Sequence, residues 1–188
     1  MITLALSTSS PALSIALVDG GQVLARHHAL IGRGHAESLM PALADLLGAI
    51  RPQRIVVDIG PGSYTGIRIG IAAARALGLA WGVDVQGMSA LSLVAAQAFA
   101  GDPGLQKVLA LIDAGRSQAA GALVGRDLVA PGPAILRVAP SGLAVAGAGA
   151  ALVPDAPGPV HADHPDAAFA GHLPPPALCP PAALYVAD

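Results

Sequence analysis

Side chains able to do chemistry fall in three places along this sequence. The first is Gly60-Pro61-Gly62-Ser63-Tyr64-Thr65-Gly66, a glycine-rich turn of the kind whose backbone N–H groups can wrap phosphate. Its glycines resemble a dinucleotide fingerprint, but the last spacing is one residue too long, and no Gly-Lys-Ser/Thr follows as a Walker loop requires. Ser63 is not a nucleophile elbow, because the Gly-x-Ser-x-Gly pattern is absent and no acid–base partner is placed by sequence. The second place is His35-Ala36-Glu37, where one imidazole beside one carboxylate reads as a surface or capping pair. The third is a Pro-rich tail holding His161, Asp163, His164, Asp166 and His172. His161 and His164 are three apart and would need a helix or strand beneath them to share a metal. Cys179, between Leu178 and Pro180, reads as a buried, inert thiol.

The elements that position these residues are legible from periodicity. Ile2-Thr3-Leu4-Ala5-Leu6 reads as a buried strand, and Leu13 to Val18 as a second. Asp19-Gly20-Gly21 is a hairpin signal, and Gln22 to His28 returns as a third strand. A helix is expected from Gly34-His35 to Ile50, with Leu39, Leu43, Leu46, Leu47 and Ile50 as its apolar stripe and Pro41 bending it or marking its first turn. Ile55 to Asp58 is a strand that runs into the glycine turn, and a long proline-free segment to Ala80 follows as a helix beginning near Gly66, capped by Ser63 or Thr65. Asp84 to Met88 is a fifth strand, and Ser89 caps a third helix carrying Leu91, Val94, Ala95 and Ala98. The order βββαβαβα predicts a mixed sheet with helices on its faces.

The second helix is the anomaly. Its only charges, Arg68 and Arg75, are seven apart and share a narrow stripe. Gly66, Gly70, Ala74 and Gly78 recur every fourth position, and mid-helix glycine costs about 1 kcal/mol against alanine, so a compensating close contact is expected. That ridge either packs on its own sheet or docks a second chain. The second option predicts a partner surface at Gly66, Gly70, Ala74 and Gly78.

A boundary is expected at Gly101-Asp102-Pro103-Gly104, giving a lobe over residues 1–100 and a smaller one over 101–188. Lys107 to Asp113 opens the second lobe as a strand; Ser117 to Val124, Asp127 to Val129 and Leu143 to Gly147 are further candidates. Of 17 prolines, 12 lie between Pro131 and Pro181, which opposes long helices and central strands there. The chain is 54% hydrophobic and 12% charged, too apolar for disorder, and its net charge of −2 leaves no basic patch to hold a nucleic acid unaided. A single cysteine fits a reducing compartment, no run is long enough to span a bilayer, and the start lacks a basic signal-peptide region, so a cytoplasmic protein is expected.

Gly60-Pro61-Gly62-Ser63-Tyr64-Thr65-Gly66-Ile67-Arg68-Ile69-Gly70, set between a three-strand start and an Ala-rich helix, resembles the TsaB (YeaZ) family. Supporting matches are Ala5-Leu6-Ser7-Thr8-Ser9, His35-Ala36-Glu37-Ser38-Leu39-Met40-Pro41, Ile112-Asp113-Ala114 and the terminal Leu184-Tyr185-Val186. The resemblance is strong through residue 100 and thin after it. It implies a two-lobed α/β fold of the actin/Hsp70/sugar-kinase class and a role as dimerisation subunit in making threonylcarbamoyladenosine in tRNA. It also implies a catalytic paralogue, TsaD, as heterodimer partner, an ATPase subunit, TsaE, as a further one, and tRNA reached only through the complex.

By the same likeness the first two helices form the contact with the paralogue, so His35, Leu39 and Leu43 join the ridge residues as expected interface. Gly60, Pro61, Gly62, Ser63, Tyr64, Thr65 and Arg68 form the structural loop. The paralogue's metal-binding His-x-x-x-His has no counterpart in Met88-Ser89-Ala90-Leu91-Ser92-Leu93-Val94, and the aspartate that the fold class commonly places on the first strand is Ser7 here. A hydroxyl brings no charge for Mg2+. The expectation is therefore a scaffold with no catalytic residue, metal or cofactor of its own, with ATP used by the complex and a nucleotide site at a subunit joint left open. Two alternatives stay open: an ATP-binding kinase or transferase of the same fold, and a homodimer pairing through the same helices.

Overall fold

A computed structural model describes residues 1–138, 140–157 and 164–186. Three strands open the chain, β1 (Ile2–Ser7), β2 (Ala12–Asp19) and β3 (Gln22–Leu30), followed by α1 (His35–Leu47), β4 (Arg54–Asp58), α2 (Tyr64–Trp81), β5 (Asp84–Met88) and α3 (Ala90–Gly101). This is the βββαβαβα order read from periodicity. β1, β2 and β3 form an antiparallel meander, and β4 and β5 add to β1 in parallel. The β2–β3 hairpin turns on Gly20-Gly21, with Asp19 paired to Gln22 and Gly20 at φ 57°. Such a positive φ is open to glycine at little cost.

The period of two sorts the central strands by side-chain size. Leu4 and Leu6 of β1, Leu13, Ile15 and Leu17 of β2, and Ile55 and Val57 of β4 share one core with α1 and α2. Ala5, Ala16, Val18 and Val56 face the opposite way, into a second core built on α3. α3 is buried nearly all round because a second sheet covers its far side. That sheet runs β8-β7-β6-β9, from β6 (Lys107–Asp113), β7 (Ala119–Gly125), β8 (Ala134–Leu136) and β9 (Val145–Ala146). The layers are thus α1 and α2, the first sheet, α3, and the second sheet.

Several expectations for the second half are corrected. The strand expected from Ser117 begins at Ala119, and the one from Leu143 to Gly147 shrinks to two residues. Asp127 to Val129 is no strand: Leu128 has φ 56° and its N–H returns to the Gly125 carbonyl, closing a turn. The lobe division at residue 101 separates the two sheets, but the tail comes back to the first. A 3-10 helix, Ala167–His172, lies on β1, β2 and β3. Asp166 anchors it, accepting from Arg26 of β3 at 2.5 Å, from Ser14 of β2 at 3.2 Å and from the Ala168 N–H at 3.0 Å. Then β10 (Leu178–Cys179) pairs antiparallel with β5 and covers that edge of the six-stranded sheet. Cys179 is exposed on this strand, not buried as expected, though partial cover still pushes its thiol pKa up. Among the described residues no helix is long and apolar enough to cross a membrane.

Candidate functional site: the glycine turn and the outward face of its helix

β4 delivers the chain into the turn, and Asp58 at its end is fully buried. Ser7 and Ser9 hydroxyls donate to its Oδ2 at 2.6 and 2.5 Å, and the Gly60 N–H donates to Oδ1 at 2.8 Å. Burial pushes this carboxyl above its ordinary pKa, and the three donors hold it back. The Gly60–Pro61 peptide is cis, and the Gly60 carbonyl accepts from the Ala90 N–H and the Ser89 hydroxyl at the start of α3. Ser63 caps α2, accepting from the Gly66 N–H at 3.2 Å, while its own N–H donates to the Ser9 carbonyl at 2.6 Å. α2 therefore starts two residues before the expected Gly66, and of the two candidate caps Ser63 is the one used.

The glycine ridge faces inward. A Cβ at Gly66 would collide with the Thr8 carbonyl oxygen, one at Gly70 would press on the Thr8 hydroxyl and Val57, and one at Gly78 would strike Val85. Thr8 Oγ1 donates to the Gly66 carbonyl at 2.7 Å, and Ala74 is wholly buried. Leu39 and Leu43 belong to the same core, and His35 is buried with Nε2 3.4 Å from the Ala12 carbonyl. All seven residues expected to meet a partner, His35, Leu39, Leu43, Gly66, Gly70, Ala74 and Gly78, are thus packed inside their own lobe. The physical reason is depth: only a helix without side chains on this face can sit directly on the β1–β2 turn and on β5.

The other side of α2 is open to solvent. Ala72, Ala76, Leu79 and Ala80 are exposed and share the stripe opposite the ridge. Leu79 is 88% exposed and Met40 on α1 is 52% exposed. Arg68 and Arg75 are both drawn aside by the returning tail. Arg75 Nη2 donates to the Pro181 carbonyl at 2.7 Å. Arg68 donates to the Tyr185 hydroxyl at 3.0 Å and stacks 3.9 Å over the Tyr64 ring, itself 5.0 Å from the Tyr185 ring. The terminal Leu184-Tyr185-Val186 lies beside the glycine turn, with the Leu184 N–H on the Ile59 carbonyl at 2.8 Å.

Between the two sheets opens a cleft of about 710 Å3 lined by Ser9, Ser10, Arg33, Glu37, Thr65 and Arg116 among others. A neighbouring hollow of about 450 Å3 lies between Tyr64, Tyr185 and Gln118. Among the described residues no group of three or more His, Cys, Asp or Glu side chains converges as a metal site. His161 and Asp163 lie outside the described residues, and the His161/His164 pairing with them. His164 and Asp166 serve packing instead: the His164 carbonyl accepts from Gln97 Nε2, and the Asp166 N–H donates to Gln97 Oε1. Sequence reasoning missed Asp58 and the tail's return. An aspartate ending an otherwise apolar strand, just before a Gly-Pro-Gly turn, was the available signal for the first.

Residues 27–145 match the family described as TsaD: tRNA N6-adenosine threonylcarbamoyltransferase. The tRNA threonylcarbamoyladenosine biosynthesis protein TsaB of Bacillus subtilis is 38% identical over 101 residues, covering 51% of this chain and 44% of that protein. TsaB of Escherichia coli is 36% identical over 119 residues, covering 61% and 51%. The chain spans about half the length of these curated relatives. The solved structure of YeaZ from Pseudomonas aeruginosa superposes with a TM-score of 0.77 at 30% identity, over 92% of this chain and 89% of that one. With the glycine turn in place and the likeness extending over nearly the whole of a solved YeaZ, the chain belongs to the TsaB/YeaZ family.

Proposed function

We propose that this chain is a non-catalytic docking subunit in the synthesis of threonylcarbamoyladenosine in tRNA. It pairs with the threonylcarbamoyltransferase subunit TsaD through the outward faces of α1 and α2. TsaE is a further partner, ATP is consumed by the assembly, and tRNA is reached only through it. The observation that carries the reading is the exposed outward face of α2, where Ala72, Ala76 and Leu79 stand beside Arg68 and Arg75, whose guanidinium groups are engaged by the tail. Single exposed leucines are ordinary; Leu79 at 88% exposure on a helix face of otherwise small side chains is what an interaction surface would offer. The seven buried residues then act behind the interface, fixing the depth and angle of the helices.

The glycine turn fits a structural role better than a phosphate-binding one. The N–H groups of Gly60, Ser63 and Gly66 in this turn all donate within the protein, which reduces what it could offer a phosphate. Both carboxyl oxygens of Asp58 are engaged, Oδ2 by the Ser7 and Ser9 hydroxyls and Oδ1 by the Gly60 N–H. The test is Ala76→Arg and Leu79→Asp, titrated by calorimetry into purified TsaD from the same organism. Pairing is expected to weaken at least about tenfold with an unchanged melting temperature, as for loss of a central apolar contact. Unchanged association of both variants overturns the reading. Sedimentation of the isolated variants distinguishes loss of a self-pair from loss of the heterodimer.

A further inference from the structure

Asp58 is a wholly buried carboxyl group, and among the described residues no cation lies beside it; its oxygen contacts are to two hydroxyls and a backbone N–H. Those contacts come from two separate stretches of chain. Ser7 ends β1 and Ser9 belongs to the β1–β2 connection that follows it, whereas Gly60 belongs to the β4–α2 connection. The same two loops are joined again by the Ser63 N–H to the Ser9 carbonyl and by the Thr8 hydroxyl to the Gly66 carbonyl. No space is left for adjustment: a Cβ at Gly62 would collide with Ser9, and one at Gly66 with Thr8. The two oxygens of the Asp58 carboxyl give it the acceptor capacity to take two hydroxyls and an amide together.

We infer that Asp58 is the positioning residue that clamps the β1–β2 loop to the glycine turn and thereby sets where α2 begins and how its outward face is presented. The second half of this rests on the docking function proposed above. Asp58 touches no partner itself; it acts through Gly60 and Ser9, which fix Ser63, the cap from which α2 starts. Ser7 is accordingly a donor in this clamp, and its hydroxyl is matched to the carboxylate across the parallel β1–β4 pair.

The experiment uses the full chain with Asp58→Ala and Asp58→Asn. Hydrogen exchange at the Gly60, Ser63 and Gly66 amides is read by NMR, and affinity for TsaD by calorimetry, at a temperature where each variant is folded. Asp58→Ala is expected to speed exchange at these amides and weaken pairing, each at least about tenfold, for loss of a charge-assisted hydrogen-bond set. Asp58→Asn keeps an acceptor for the Gly60 N–H but loses the one shared by the Ser7 and Ser9 hydroxyls, and is expected to fall between the parent and Asp58→Ala in both. Amides that stay protected in Asp58→Ala, or an Asn variant as impaired as the Ala variant, overturn the inference. If Asp58→Ala does not fold, Ser7→Ala takes its place, with a loss of a few fold expected and no loss overturning the inference. Leu79→Asp runs alongside: if it pairs normally the docking function fails, and with it the second half, while the exchange rates still decide whether Asp58 sets the turn.

Discussion

Gly66→Ala separates a ridge that packs inward from one that faces a partner. An inward ridge meets the added methyl with the Thr8 backbone carbonyl, which cannot rotate away as a side chain can. Overpacking of this kind costs about 1–3 kcal/mol, with the upper end expected where the obstacle is backbone. Displacing Thr8 also threatens its hydroxyl bond to the Gly66 carbonyl, a further loss of about 1 kcal/mol. Against this, alanine in place of a helical glycine returns about 1 kcal/mol. The net loss is therefore about 3 kcal/mol, which for a chain of this size lowers the melting temperature by roughly 6–12 °C. Leu79→Asp on the opposite stripe should move it by no more than about 0.5 kcal/mol, because that side chain touches solvent. Circular dichroism melts of the two variants beside the parent suffice. A Gly66→Ala protein that melts with the parent, or a Leu79→Asp protein that unfolds, refutes the inward packing of the ridge.

Two further outcomes follow from the same contacts. Ser63→Ala removes the side-chain cap on the Gly66 N–H and should cost about 1 kcal/mol in urea unfolding, while the reconstituted modification complex stays active within a few fold, since no reaction is assigned to that hydroxyl. His28 is held below its ordinary pKa of 6.5, by burial first, with Asp166 opposing. A depressed folded pKa means its contribution is present in full above 6.5 and is lost as pH falls through the folded value. His28→Gln should therefore lose less stability than the parent between neutral and mildly acidic pH; a steeper loss in the variant contradicts the assignment.

Much of the first lobe was legible because its signals are local. Asp19-Gly20-Gly21 dictates a hairpin, Ser89 a helix start, and the β4 run followed by Gly-Pro-Gly a strand and turn. The direction of the α2 ridge was not legible, since a helix with glycine on one side and alanine on the other looks apolar all round. Which side is buried depends on where the β1–β2 turn lies, a contact spanning 58 residues from Thr8 to Gly66. The tail was hidden for a similar reason. Its strand has two residues and its helix is 3-10, so neither has a period long enough to detect, and both are held by partners about 90 to 150 residues away.

The two faces of α2 answer to different constraints. Glycine on the inner face lets the helix backbone rest on Thr8 and Val85 instead of standing off by a side chain's width. A helix seated that deeply has its angle fixed by backbone contacts, which tolerate less slack than leucine packing does. The outer face can then carry small side chains such as Ala72 and Ala76 without being loose, because the helix is seated from its inner side. Under the docking function proposed above, that division would supply rigidity from beneath, through Asp58, Ser63 and the ridge, and leave contact chemistry to Ala72, Ala76 and Leu79. Substitutions beneath should therefore change stability first and pairing as a consequence, whereas those above should change pairing alone.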